Sequence, residues 1–226
     1  MLDLFIEDDT GARALCFRPL KLIIAGWTGR DSAALEAHIE ELEALGVARP
    51  KSVPIFYRVD ASLLTTSETI QCVGREASGE VEAVLYKHDG EYFVGVGSDH
   101  TDRKLETVGI TLSKQVCAKP VSQRVWRWED VAGHWDSLLL RSCLPQTGEI
   151  YQEGSTANLR RPDDLIALYE ELEGPLPDGT AIFCGTLAVR GGIRFNSQMA
   201  LELVDPVRER SLSHHYMVED LPVVEA

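Results

Sequence analysis

Residues 79–99 read Gly79-Glu-Val-Glu-Ala-Val-Leu-Tyr-Lys-His-Asp-Gly-Glu-Tyr-Phe-Val-Gly-Val-Gly-Ser-Asp99, and their pattern decides the class of fold. Val81, Ala83 and Leu85 alternate with Glu80, Glu82, Val84 and Tyr86, as in a strand. Asp89-Gly90 then supplies the dipeptide that closes a two-residue hairpin, where both turn residues need a positive φ. The returning strand runs over residues 92–97. With Asp89 and Gly90 in the turn, His88 pairs with Glu91, Glu82 lies opposite Gly97 and Glu80 lies opposite Asp99. Side chains two apart on a strand share a face, and directly opposed Cβ atoms are about 5 Å apart. Three carboxylates therefore converge on one patch, beside a glycine expected to leave space. Like charges at that range repel, and nothing local supplies a compensating pair of basic residues, so a bound cation is the expected resolution. Oxygen ligands select a hard ion, Mg²⁺ first, with Mn²⁺ or Ca²⁺ as alternatives. The competing explanation is a solvated acidic strand face in a chain that carries 36 acidic residues.

Outward from the hairpin, residues 20–25 (LKLIIA) form an apolar strand ended by Gly26-Trp-Thr-Gly29. A helix follows, capped by Asp31 or Ser32 and stopped at Gly46, with Leu35, Ile39, Leu42 and Leu45 as its apolar stripe. Pro50 and Pro54 lead into extended residues 55–59. A second helix spans residues 162 to about 172, with Pro162 in its first turn and Gly174 beyond its end, and residues 180–184 read as a short buried strand. Mostly strands with two or three helices gives an α+β class.

A length of 226 residues suits one large domain. The first nine residues carry acids where a secretory signal would carry bases, and no apolar run approaches the roughly 18 residues of a membrane span, so a cytoplasmic setting is expected. A net charge of −14 repels nucleic acid and anionic membranes, which excludes both as partners. Cys16, Cys72, Cys117, Cys143 and Cys184 never form a C-x-x-C pair; they read as small buried hydrophobes of a reducing compartment. Gly95-x-Gly97 lacks the third glycine and following helix of a dinucleotide loop. Asp99, His100 and Asp102 with His134 or His214 make a less well-placed zinc alternative. Trp126, Trp128 and Trp135 read as core or subunit-interface residues.

From about Lys21 to Tyr216 the chain resembles the fumarylacetoacetate hydrolase-like superfamily, and is most similar to a bacterial branch described as a domain of unknown function. The resemblance is carried first by Gly79-Glu80-Val-Glu82 and Ser98-Asp99-His-Thr101-Asp-Arg103, which are similar to the superfamily's metal-holding E-x-E and Asp elements. Thr111-Leu-Ser-Lys114 with Pro120 resembles the segment of the catalytic lysine. Tyr151-Gln152-Glu-Gly154-Ser-Thr156 resembles a Q-x-G-x-T stretch, and Cys184-Gly185-Thr186 a turn that approaches substrate. His38-Ile-Glu-Glu41 is similar to a histidine–glutamate pair on a segment above the metal. The chain departs from the pattern in several ways: no Asn-Tyr precedes the histidine, Gly29-Arg30-Asp31 stands further upstream than that element, Lys104 replaces an aspartate, Leu187 replaces a proline, and the interval from E-x-E to Asp99 is shorter.

The resemblance implies a mixed β-sandwich roll, with residues 1–60 as a small N-terminal α/β part and residues 61–226 as the metal-binding catalytic core of one continuous unit. It implies a homodimer and a small-molecule oxo-acid substrate. The implied activity is a metal-dependent hydrolase cleaving a carbon–carbon bond in a 2-oxo acid or acylpyruvate-like 1,3-dicarbonyl. Glu80, Glu82 and Asp99 then hold the metal. His38, oriented by Glu41, activates water, Lys114 stabilises developing negative charge, and Arg103 and Thr186 hold the substrate, although Arg103 could also serve as an ion-pair partner. The alternatives are a decarboxylase, hydratase or tautomerase using the same metal, or a non-catalytic metal- or ligand-binding protein.

Overall fold

The computed structural model describes every residue except 9, 10, 34, 37, 38, 41–48, 225 and 226. The hairpin lies at its centre. Val81–His88 and Glu91–Ser98 pair antiparallel, with His88 opposite Glu91 and Glu82 opposite Gly97, as the turn chemistry predicts. Asp89 and Gly90 have φ values of 50° and 78°, the left-handed pair that such a turn requires. Beyond the strand ends the Asp99 N–H donates to the Glu80 carbonyl at 3.0 Å, which carries the register to the acids.

Eight strands form the larger sheet, in the order Gly11–Phe17, Leu2–Asp8, Arg124–Arg127, Glu91–Ser98, Val81–His88, Thr180–Phe183, Lys21–Gly26 and Ile55–Val59. Parallel pairs, such as Thr180–Phe183 with Lys21–Gly26, are mixed with antiparallel ones. Four of these strands come from residues 1–60 and four from later residues, so the two segments share one sheet. A five-stranded sheet runs Glu149–Ser155, Leu139–Leu144, Gln198–Asp205, Arg210–Leu221 and Thr69–Val73. The outer hairpin of residues 2–17 and the hairpin of residues 198–221 enlarge the β content beyond the predicted strands. Both show the burial alternation of half-covered strands, with Leu2, Leu4 and Ile6 in the first buried and Leu212, Tyr216 and Val218 in the second.

The central hairpin is apolar on both faces because both are covered. Ala83, Leu85, Val94 and Val96 pack with Leu140, Met199, Leu201, Leu203 and Tyr216 of the smaller sheet, which makes the sandwich. Val84, Tyr86 and Phe93 pack in a second core with Leu4, Phe17, Leu22, Tyr57 and Phe183, so the larger sheet curls to bring residues of both edges together. A one-residue slip would turn Glu82 into the sandwich core, and an unpaired buried carboxylate costs several kcal/mol. The register is therefore fixed.

Helix Pro162–Glu173 begins at its proline and ends at Gly174, whose φ is 82°, and it buries Leu165 and Tyr169. Ser32, Ala33, Leu35, Glu36, Ile39 and Glu40 are helical, and Asp31 caps them by accepting the Ala33 N–H at 3.0 Å. His38, Glu41, Leu42, Leu45 and Gly46 lie outside the described residues. Cys72, Cys117 and Cys184 are buried as expected, Cys143 is half-buried, and Cys16 departs from the expectation by being exposed on an outer strand. Trp126 and Trp135 belong to the sandwich core, and Trp128 packs against it. Among the described residues no helix is long and apolar enough to cross a membrane.

Candidate metal centre

The acids converge where the central hairpin reaches its open end. One ligand oxygen from each of Glu80, Glu82 and Asp99 lies within 4.8 Å of the other two. Glu82 and Asp99 are buried at 2% and 0% exposure, which removes the solvated-face explanation for these two.

The expectation that no bases stand nearby is corrected by the tertiary structure. Lys114 Nζ donates to Asp99 Oδ2, and Lys119 Nζ lies 3.2 Å from Oδ1. Arg103 pairs with Glu80 at 3.1 Å. Glu82 differs: among the described residues no ion pair reaches it, and Oε2 accepts the Gly185 N–H at 2.7 Å. Burial, then the Asp99 charge, pushes the Glu82 carboxyl well above the usual carboxylate range. Asp99 moves the other way: burial would raise it, but Lys114 and then Lys119 outweigh that and hold it down. Burial alone would lower Lys114, yet Asp99 and Glu80 keep its ammonium charged.

These residues fit a divalent cation on grounds other than missing bases. Asp99 Oδ1 is buried with no hydrogen-bond partner, because Lys119 directs bonds to the carbonyls of His100 at 2.5 Å and Lys114 at 2.6 Å. Glu82 is a buried carboxylate that no ion pair reaches among the described residues. A hard cation held by oxygens of all three acids would meet both needs.

The glycine opposite Glu82 leaves no opening, contrary to expectation. A Cβ on Gly97 would lie 2.8 Å from Val121 Cγ1 and 3.0 Å from the Pro120 carbonyl oxygen. The missing side chain lets residues 119–121 cross the hairpin, and that crossing delivers Lys119 to Asp99. Arg103 is also committed: Nε donates to Ser78 at 2.7 Å, Nη1 to Glu106 at 3.1 Å, and Nη2 faces Glu80. Its place is the ion-pair one rather than a free carboxylate clamp. Thr186 donates to the Val81 carbonyl at 2.7 Å and accepts from Gln152 at 2.8 Å.

The zinc alternative is not assembled. His100 Nδ1 faces Tyr216 Oη at 3.0 Å, His134 bonds Asp205, and His214 faces the Ser67 carbonyl. Burial pushes His100 down to about 3, so it is a neutral ring.

Tyr57 and Lys119 escaped the sequence reading. Lys119 stands five residues after Lys114, and only the hairpin crossing shows that it meets the same carboxylate. Lys114 Nζ lies 5.7 Å from the Tyr57 ring centroid. Gly26 makes room for that ring: a Cβ there would lie 2.8 Å from Tyr57 Cε2.

Residues 25–216 match the family described as "Protein of unknown function (DUF2848)". The chain belongs to the DUF2848 family. No match is found among curated proteins. A solved structure of a candidate fumarylpyruvate hydrolase from Burkholderia cenocepacia superposes on this DUF2848 chain with a TM-score of 0.69 at 17% identity, covering 97% of this chain and 92% of the other. A candidate fumarylacetoacetate isomerase/hydrolase from Oleispira antarctica gives 0.65 at 18%, covering 97% and 100%. A 2-keto-3-deoxyarabinonate dehydratase gives 0.65 at 15%, covering 96% and 79%. At such identities the likeness is one of fold: this DUF2848 protein has the α+β architecture of the fumarylacetoacetate hydrolase type.

Proposed function

We propose that the chain is a divalent-metal-dependent hydrolase that cleaves a carbon–carbon bond in a 2-oxo acid or 1,3-dicarbonyl of the acylpyruvate kind. The observation that carries this is the convergence of Glu80 with the buried Glu82 and Asp99, with Lys114 bonded to Asp99. Mg²⁺ is the ion we assign, with Mn²⁺ or Ca²⁺ as substitutes, on the hardness of the oxygen ligands. Such an ion supplies Lewis acidity toward the substrate's oxo and carboxylate oxygens.

The chain's own residues supply the rest. Lys114 and the Tyr57 hydroxyl offer charge and a proton to an oxygen that becomes negative as the enolate leaves. His38, with Glu41 orienting it, takes a proton from water as that oxygen bonds to the acyl carbon. The bond between the acyl carbon and the methylene carbon breaks, and the enolate takes up a proton to give the 2-oxo acid beside a carboxylic acid. The substrate lies near the Gly185-Thr186 turn, and Arg103 acts on it through Glu80. A homodimeric, cytoplasmic enzyme belongs to the same proposal, the dimer on the resemblance and the setting on five cysteines that form no C-x-x-C pair.

The test is a screen of acylpyruvates and related oxo acids with added Mg²⁺, followed by loss of enol absorbance, on wild type and His38→Ala. Turnover should fall by roughly 10²–10⁴-fold in the variant, with metal affinity unchanged. Near-normal turnover in His38→Ala would reject the hydrolase and favour a decarboxylase or tautomerase, which needs the electron sink but no activated water.

A further inference from the structure

The Q-x-G-x-T stretch has no role in the chemistry above, yet its glutamine joins the E-x-E strand to the Gly185-Thr186 turn. Gln152 is fully buried on strand Glu149–Ser155 of the smaller sheet. Its Oε1 accepts the Val81 N–H at 2.9 Å and the Ser142 hydroxyl at 3.1 Å. Its Nε2 donates to Thr186 Oγ1 at 2.8 Å and to the Leu187 carbonyl at 2.6 Å. A side-chain amide has two donors and two favoured acceptor directions, and all four are used. The orientation is therefore determined, since a flipped amide would set N–H against the Val81 N–H.

Two of these bonds run to the turn beyond strand Thr180–Phe183. Thr186 gives its own proton to the Val81 carbonyl at 2.7 Å, so Gln152, Thr186 and Val81 form a closed ring of bonds. The same turn aims the Gly185 N–H at Glu82 Oε2. Gly185 has a φ of 99°, and a Cβ there would fall 1.8 Å from Thr28 Oγ1, so no other residue gives this approach without displacing its neighbours. Among the described residues no ion pair reaches Glu82, which makes the placement of that N–H decisive for its orientation.

We propose that Gln152 is a positioning residue: it fixes the Gly185-Thr186 turn on the first residue of the E-x-E strand, and thereby sets Glu82 and the substrate-side turn as one unit. The inference deepens the metal-centre assignment and rests on it for its consequence in metal affinity. The closure itself is a property of the protein fold and can be read without metal.

Two measurements on intact protein decide it. The first is hydrogen exchange of the Gly185 amide by NMR without metal, referenced to Ile182 in the adjoining strand. The second is Mg²⁺ affinity by calorimetry. Gln152→Met should speed Gly185 exchange well beyond any change at Ile182 and weaken Mg²⁺ by roughly 10–100-fold, the usual loss when a group orienting a metal ligand is removed. Ser142→Ala removes a bond to the same amide on the side away from the turn. It should lower thermal stability without moving either readout. Thr186→Val should reproduce both effects and Thr186→Ser should restore both, which decides the matter even if Gln152→Met does not fold. Should Gly185 exchange respond no more to Gln152→Met and Thr186→Val than to Ser142→Ala, the glutamine is only a packing residue and the proposal falls. If wild type binds no Mg²⁺, the metal assignment fails by itself, while the exchange data still judge Gln152.

Discussion

At the scale of single residues, Glu82 behaves least like its neighbours. Glu80 faces Arg103 and Asp99 faces two lysines, whereas Glu82 has a backbone N–H and its own burial. Its folded pKa is raised above the unfolded value, so the folded state holds that proton more tightly. Stability of the metal-free protein is then lost as pH rises through this range, and the full penalty is present above the folded pKa. Glu82→Gln removes the charge and keeps an acceptor for Gly185. In EDTA at pH 8 its melting temperature should exceed that of wild type by a few degrees, at about 2–4 °C per kcal/mol in a domain of this size. The advantage should vanish below about pH 4, where an unfolded glutamate is itself protonated. A less stable Glu82→Gln at pH 8 would mean that Glu82 already has a counter-charge. The acids were legible from residue type and spacing, but their cations were not. Lys114 and Lys119 are 15 and 20 residues downstream of Asp99, and nothing in the alternation says where a helix-linked segment will return.

At the scale of elements, the hairpin carries the site. Asp89-Gly90 fixes the pairing, and two-residue periodicity takes it unbroken to Glu80 and Asp99. A β-branched residue at Gly90, φ 78°, meets the left-handed penalty of about 1–2 kcal/mol. Gly90→Val should therefore lower the urea midpoint with an unchanged m-value. Its Mg²⁺ affinity should stay at the wild-type level, because the turn is at the far end of the strands from the acids. A parallel loss of affinity would show that the register itself had slipped. Gly79 is the contrasting position, where a Cβ would come within 2.3 Å of Met199 Sδ and Tyr216 Oη and would disturb the acid end directly. The hairpins of residues 2–17 and 198–221 were harder to see. Buried positions such as His214 do not look apolar in the sequence.

At the scale of the whole molecule, the site lies at a seam: the hairpin belongs to one sheet, Gln152 and Tyr216 to the other, and Lys114 to the helical segment between strands. A ligand that binds only this assembled state stabilises the fold by mass action. At a hundredfold excess over Kd, Mg²⁺ should add about 2.7 kcal/mol, or roughly 5–10 °C in melting temperature. EDTA and Asp99→Asn should each abolish that rise, and identical melting curves in EDTA and Mg²⁺ would remove the metal centre altogether. The sequence by itself determined the α+β class, the register of the central hairpin and the convergence of three acids, because turn chemistry and alternation act over a few residues. Only the tertiary structure decided that Gly97 admits a crossing segment rather than a cavity, that Arg103 is held by Glu80 and Glu106, and that Lys119 reaches Asp99. Those outcomes depend on which distant segments the two cores bring together, and burial energy, unlike a turn, has no fixed spacing along the chain.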